Sequence, residues 1–111
     1  MSLLTQLHEE KRATRERLRL GTRARCREVL RVLLPPGTQV VVFGSLAKPG
    51  RFSEGSDIDL ALESEPPDMS LYQLTSRLAE HMGRRVNVVL LPESRLRDKI
   101  LREGETWTLP A

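Results

Sequence analysis

The sequence predicts an α/β fold in a single domain, and three observations carry that prediction. A proline-free stretch dense in Leu, Arg and Glu opens the chain, three short apolar segments follow it, and a helical repeat separates the second of these from the third. A length of 111 residues suffices for one ordinary core and is too short for two. Leu and Val supply most of the apolar content, and the aromatics are limited to Phe43, Phe52, Tyr72 and Trp107. An aliphatic core of this kind suits helices packed on a sheet.

Residues 1–34 read as one long basic amphipathic helix. They hold no proline and one glycine, Gly21, which marks where an interruption would fall. Leu18, Thr22, Cys26, Val29, Leu30 and Leu33 recur at steps of three and four, giving a stripe to lay on a sheet. Ahead of them the stripe thins to Leu3, Leu4 and Leu7 followed by HEEKRATRER, so the front of the helix is expected to project from the core or to dock on another chain. Pro35 and Pro36 end the helix and Gly37 supplies a turn. QVVVF, residues 39–43, is a strand covered on both faces. SDIDLALE is a second strand, with Asp57, Asp59, Ala61 and Glu63 on one face and Ile58, Leu60 and Leu62 on the other. Ser70 caps a helix carrying Leu71, Leu74, Leu78 and Met82, which Gly83 stops. RRVNVVLL is a third strand closed by Pro92. Ser94 is placed to cap a last helix through Leu96, Ile100 and Leu101, and the tail ETWTLPA to add a short edge strand.

The formal net charge of +3 conceals an asymmetry: residues 1–34 hold nine Lys/Arg against four Asp/Glu, and residues 35–111 hold nine against eleven. A basic helix can meet nucleic acid or an acidic protein, although charge speaks to association rather than to fold. The lone Cys26 excludes an internal disulfide framework, and with no second Cys or His cluster beside it no zinc site is expected. No membrane span and no export signal is read, so a cytoplasmic setting is the expectation.

The chemistry concentrates in VVFGSLAKPGRFSEGSDIDLAL, residues 41–62. A strand ending in Gly44-Ser45 lets the backbone approach a ligand closely, and the N–H groups of the following turn, with the Ser45 hydroxyl, can cradle phosphate. Alone, this is more often just a turn. Asp57 and Asp59, at i and i+2 of a strand, project to the same side with Cα atoms about 7 Å apart. Unpaired they would repel and raise each other's pKa. Mg²⁺ resolves the conflict, because it takes oxygen ligands at about 2.0–2.1 Å from one or two carboxylates plus substrate phosphates. A strand-borne D-x-D beside a phosphate-holding turn is the minimum kit for metal-assisted phosphoryl or nucleotidyl transfer.

The combination VVVFGSLAKPGRFSEGSDIDLAL, a helix, and RRVNVVLLPESRLRDKILREG resembles the minimal nucleotidyltransferase family of the polymerase-β-like superfamily, over about residues 38–104. The resemblance implies an α/β nucleotidyltransferase fold of the polymerase-β palm type, with a mixed sheet packed with helices in a core spanning residues 35–111 behind the helix of 1–34. It implies two Mg²⁺ ions bridged by paired aspartates and transfer of a nucleoside monophosphate from a nucleoside triphosphate, ATP being the expected donor. Many such proteins are antitoxins encoded beside a helical HEPN toxin, and some silence it by attaching AMP to a tyrosine. Carried over, Gly44 and Ser45 are the phosphate turn, Asp57 and Asp59 the metal ligands, and Lys48 a basic residue that steadies phosphate or is simply an exposed lysine.

The sequence departs from the family at the third carboxylate. The family's later strand reads V-D-L-V-D-L, whereas VNVVLL places Asn87 at the first aspartate and Leu90 at the second. Asn87 can offer an oxygen but carries no charge and cannot act as a base, so the ion that activates the attacking hydroxyl should bind weakly. Glu63 is the one substitute on the same strand face, about 7 Å further along. Three functions compete: an antitoxin that transfers a nucleotide to its partner, an antitoxin that neutralises by binding alone, and a nucleic-acid-binding module using the Arg-rich helix. The aspartate face argues against the last. His8 and His81 read as surface residues, Tyr72 as packed rather than as a modification acceptor, and Cys26 as a small core residue. The amphipathic first helix makes self-association plausible.

Overall fold

The computed structural model describes residues 2–110. Its elements follow the expected order: α1 (Leu3–Leu33), β1 (Gln39–Phe43), a 3₁₀ turn (Gly44–Ala47), β2 (Ile58–Leu62), α2 (Leu71–Met82), β3 (Val86–Leu90), a 3₁₀ turn (Leu91–Glu93), α3 (Arg97–Glu103) and β4 (Glu105–Thr108). The strands form one mixed sheet in the order β3-β2-β1-β4, with β1 antiparallel to β2 and β4, and β2 parallel to β3. The α2 crossover between β2 and β3 is what allows that pair to run parallel.

α1 runs unbroken through Gly21, which is exposed and meets no neighbouring atom, so no packing force bends the helix there. At 1.5 Å per residue such a helix is about 46 Å long, and it accounts for most of the 54 Å long axis. Its second half belongs to the core: Thr22, Cys26 and Leu30 are buried, with Leu18, Val29 and Leu33 packed at the margin. Its front is solvent-exposed through Arg15. α2 starts at a reciprocal cap, in which Ser70 Oγ accepts from Gln73 N and Gln73 Oε1 accepts from Ser70 N. Ser94 does not cap α3 as expected. Its hydroxyl accepts from Leu96 N in a turn ahead of the helix, whose first residue is Arg97.

The strand alternation separates two cores. Val40, Val42, Ile58, Leu60, Leu62 and Val86 join α1 and α2 in the larger one. On the opposite face Val41 and Ala61 meet Leu91 of the second 3₁₀ turn and Ile100 of α3 in a small cluster. Asp57 and Asp59 belong, by alternation, to this thinly covered face. Phe52, a lone apolar residue in the polar loop between β1 and β2, is fully buried in the main core with the Arg84 guanidinium 4.6 Å over its ring. The same guanidinium donates to Ser53 O at 3.1 Å and Ser56 O at 2.8 Å, so ring and arginine together fix the long loop that carries the chain back to Asp57.

α3 can lie close to β1 because the residue between α3 and β4 lacks a side chain. A Cβ on Gly104 would stand 2.6 Å from Ile100 O, 2.8 Å from Val41 Cγ1 and 2.8 Å from Val42 O. Two glycine substitutions should therefore act with opposite sign in urea denaturation. Gly104→Ala should destabilise by about 1–3 kcal/mol through overpacking. Gly21→Ala, in open space within a helix, should stabilise by about 0.5–1 kcal/mol. Equal responses at the two positions would contradict the close approach described at Gly104.

Candidate active site

Strand register places Phe43, Asp59 and Asn87 in one row across β1, β2 and β3. Asp57 lies immediately before β2, so the second strand is shorter than the sequence suggested, yet the two carboxylates still converge. Asn87 Nδ2 donates to Asp59 Oδ1 at 3.0 Å and to Asp57 Oδ2 at 3.3 Å. One amide nitrogen thus satisfies both acids, at a point toward which both are turned. Burial raises the Asp59 pKa, the Asn87 hydrogen bond pulls it back, and the neighbouring Asp57 charge pushes it up again.

The turn after β1 faces this pair. Gly44 has φ +68°, and a Cβ there would overlap Asp59 Oδ2. Glycine is required twice over, by backbone conformation and by the proximity of the carboxylate. Gly44–Ala47 form the 3₁₀ turn, tightened by Lys48 N donating to Ser45 O at 3.2 Å. A cleft of about 220 Å³ opens between this turn and α3, lined by Gly44, Lys48 and Asp59 on one side and Leu96, Lys99 and Glu103 on the other. Lys48 Nζ lies 3.6 Å from Glu103 Oε2, an ion pair across the rim. The α3 wall was missed at the sequence level, although the spacing of Leu96, Lys99, Ile100 and Glu103 already puts them on one helical face.

Gly44, Ser45, Lys48, Asp57, Asp59 and Asn87 are therefore gathered at one end of the sheet. Glu63 is not among them. β2 ends at Leu62, opposite Val40 at the start of β1, so exposed Glu63 lies beyond the end of the strand away from Gly44. Tyr72 is 80% exposed rather than packed. It stands in the first turn of α2, just after β2 and its loop. Cys26 is buried, its thiol pushed up to about 12, and is chemically inert. Among the described residues no group of three or more His, Cys, Asp or Glu is arranged to hold a metal. The donor set fits one oxygen-preferring divalent ion between two carboxylates and supplies no third charge for a second.

A carboxylate whose pKa is raised on folding binds its proton more tightly in the folded than in the unfolded state. Stability must then fall as pH rises from the ordinary aspartate range through the raised folded value, the loss being complete above it. Asp59→Asn should therefore melt above the wild type at pH 7 in divalent-free buffer, with the gap narrowing toward pH 4. A wild type that is the more stable at pH 7 would show the carboxylate to be fully compensated.

Comparison with known proteins bears on the family and the fold. The family described as polymerase beta, nucleotidyltransferase matches residues 38–107. A crystal structure of a toxin–antitoxin with AMP-PNP resembles the chain at 25% identity and TM-score 0.57, covering 72% of this chain and 68% of that one. The crystal structure of the toxin–antitoxin MntA-HepT shares the fold at 22% identity and TM-score 0.51, covering 72% of this chain and 64% of that one. No curated protein matches. With the family's match extending over more than half of the chain, and with the glycine turn and aspartate pair brought to one edge of a mixed sheet, this protein belongs to the polymerase beta nucleotidyltransferase family.

Proposed function

We propose that the chain binds a nucleoside triphosphate, ATP, with Mg²⁺ at the Gly44–Asp59 edge of the sheet and transfers its nucleoside monophosphate to a partner protein, as the antitoxin of a HEPN-type toxin–antitoxin pair in the cytoplasm. The observation that carries this reading is the convergence of Asp57 and Asp59 on a single nitrogen, 3.3 and 3.0 Å away, directly beside a glycine turn. Two carboxylates turned to one point make a position for a cation. The resemblance to a toxin–antitoxin with AMP-PNP supports both the nucleotide and the partner. Leu3, Leu4 and Leu7, exposed on the projecting front of α1 beside an open groove of about 1000 Å³, offer an apolar surface for that partner.

In this reading Asp57 and Asp59 hold Mg²⁺, which when bound neutralises phosphate charge and orients the triphosphate. Gly44 and Ser45 bring backbone and hydroxyl to the phosphates, while Lys48 and Lys99 balance their charge from the cleft rim. The acceptor hydroxyl oxygen forms a bond to the α-phosphorus and gives up its proton to water, the bond from that phosphorus to the β-bridging oxygen breaks, and pyrophosphate leaves. Asn87 cannot take the hydroxyl proton, nor add a negative charge for a second ion. Its amide, donating to both acids, favours a second reading in which nucleotide binding survives, transfer is slow, and neutralisation proceeds by contact alone.

Isothermal calorimetry should detect Mg-ATP binding to the wild type and none to Asp57→Ala/Asp59→Ala. Unchanged binding by the double variant would refute the site. With radiolabelled ATP and the partner, Asn87→Asp should increase label transfer by about tenfold or more, a difference of roughly 1.4 kcal/mol in barrier. Absence of any gain would leave contact alone as the mode of neutralisation.

A further inference from the structure

We infer that α1 braces the phosphate turn, with Arg19 and Arg23 acting as positioning residues that hold Gly44–Ala47 in its binding shape; the inference rests on the proposal that this turn receives the triphosphate. Two guanidinium groups from α1 converge on one carbonyl of the turn. Arg19 Nη1 donates to Leu46 O at 3.0 Å, and Arg23 Nη1 donates to the same oxygen at 3.3 Å. A buried backbone carbonyl needs one partner, and this one receives two cationic donors, each worth more than a neutral one.

Neither arginine is free to wander. Arg19 is only 7% exposed, and its other edge is forked onto Glu16, Nε to Oε1 at 2.7 Å and Nη2 to Oε2 at 2.9 Å. Glu16 Oε1 also accepts from Gly50 N at 3.4 Å, so α1 grips the chain both within the turn and just beyond it. The mutual pairing holds the Glu16 carboxyl below its ordinary value and the Arg19 guanidinium above its own. Arg23 is fixed from behind by Glu105 at 2.5 Å and by the Trp107 ring at 5.3 Å.

Direction matters as much as strength. The carbonyls of a 3₁₀ turn run toward its C-terminal end. Cations gripping Leu46 O therefore hold the turn from the end opposite Gly44, which lines the cleft with Asp59. The Leu46 side chain is fully buried, so side chain and carbonyl pin the same residue on the α1 side. The turn lies between the brace and the cleft, and its shape is set by a helix that contributes nothing to the cleft itself.

Arg25 provides the matched control, because it also reaches from α1 to a backbone carbonyl, His81 O at 3.3 Å, away from the turn. Amide hydrogen exchange and Mg-ATP calorimetry should be measured on Arg19→Gln, Arg23→Gln, Arg19→Lys and Arg25→Gln. Arg19→Gln and Arg23→Gln should speed exchange at residues 44–48 and weaken Mg-ATP by about tenfold, the loss expected for a charged hydrogen bond. Arg19→Lys, which can still reach the carbonyl, should recover part of both, and Arg25→Gln should leave both within about twofold of wild type. Unaltered exchange at 44–48 in both glutamine variants, or an equal loss of affinity in Arg25→Gln, overturns the brace. A wild type that takes up no Mg-ATP overturns the nucleotide reading instead, and exchange then decides the brace alone.

Discussion

Two like charges on one face of a central strand are the constraint around which this molecule is arranged. β2 is flanked on both sides, so its residues cannot turn away from the sheet, and the alternation that buries Ile58, Leu60 and Leu62 obliges Asp57 and Asp59 to share the other face. Desolvation there disfavours the charged form of Asp59. The fold answers by keeping that face thin. A seven-residue helix, α3, and the 3₁₀ turn before it cover Val41 and Ala61 in a small cluster and leave the carboxylate end open as a cleft. Gly104 lets α3 sit close over β1, and Gly44 lets the turn close down on Asp59. The same geometry that makes the acids costly makes them available to a cation.

Asn87 shows how the chain lives with that arrangement without help. An aspartate in its register position, opposite Asp59, would bring a third negative charge into contact with the other two. The amide instead offers a donor to each acid, replacing repulsion by two hydrogen bonds. Such a site is more tolerable in the absence of metal and less capable in its presence, because an amide adds no charge to hold a second ion. Asn87 thus holds the two carboxylates together by hydrogen bonds where a third acid would have added repulsion.

Much of this was legible because its signals are local. Turn residues, caps and a two-residue alternation fix β1, β2 and α2 from neighbouring side chains, and the same alternation places Asp57 beside Asp59. What escaped depends on partners far apart in the chain. Glu63 has the right parity, but the length of β2 is set by pairing with β1, and β1 begins one residue before Val40. Tyr72 was expected to pack, yet it falls beside the stripe by which α2 leans on the core through Leu71, Leu74 and Leu78, and so points outward. Gly21 looked like a break because propensity is a local quantity, whereas packing on both sides of it keeps the axis straight: Arg19 behind the turn and Thr22 in the core.

The basic character of α1 is the clearest case of one observation with two physical explanations. Read from the sequence, nine cations in residues 1–34 suggest an anionic partner. In the folded chain most of those in the second half are already occupied. Arg19 and Arg23 hold Leu46 O, Arg25 holds His81 O, Arg27 stacks on Trp107 at 4.5 Å, and Arg31 pairs with Glu28 at 2.9 Å. Arginine suits these tasks because its fork can satisfy an acid and a carbonyl together, or lie flat on a ring, where lysine would offer one point charge. The first four carry the docking of α1 on the turn, on α2 and on β4, whereas the Arg31 pair lies within α1 itself. The remaining cations, Lys11, Arg12, Arg15 and Arg17, are exposed on the front half of the helix, which also carries Glu9, Glu10 and the three leucines. That segment mixes both signs of charge with an uncovered apolar surface, which is the composition of a protein-facing helix more than of one built to follow a phosphate backbone.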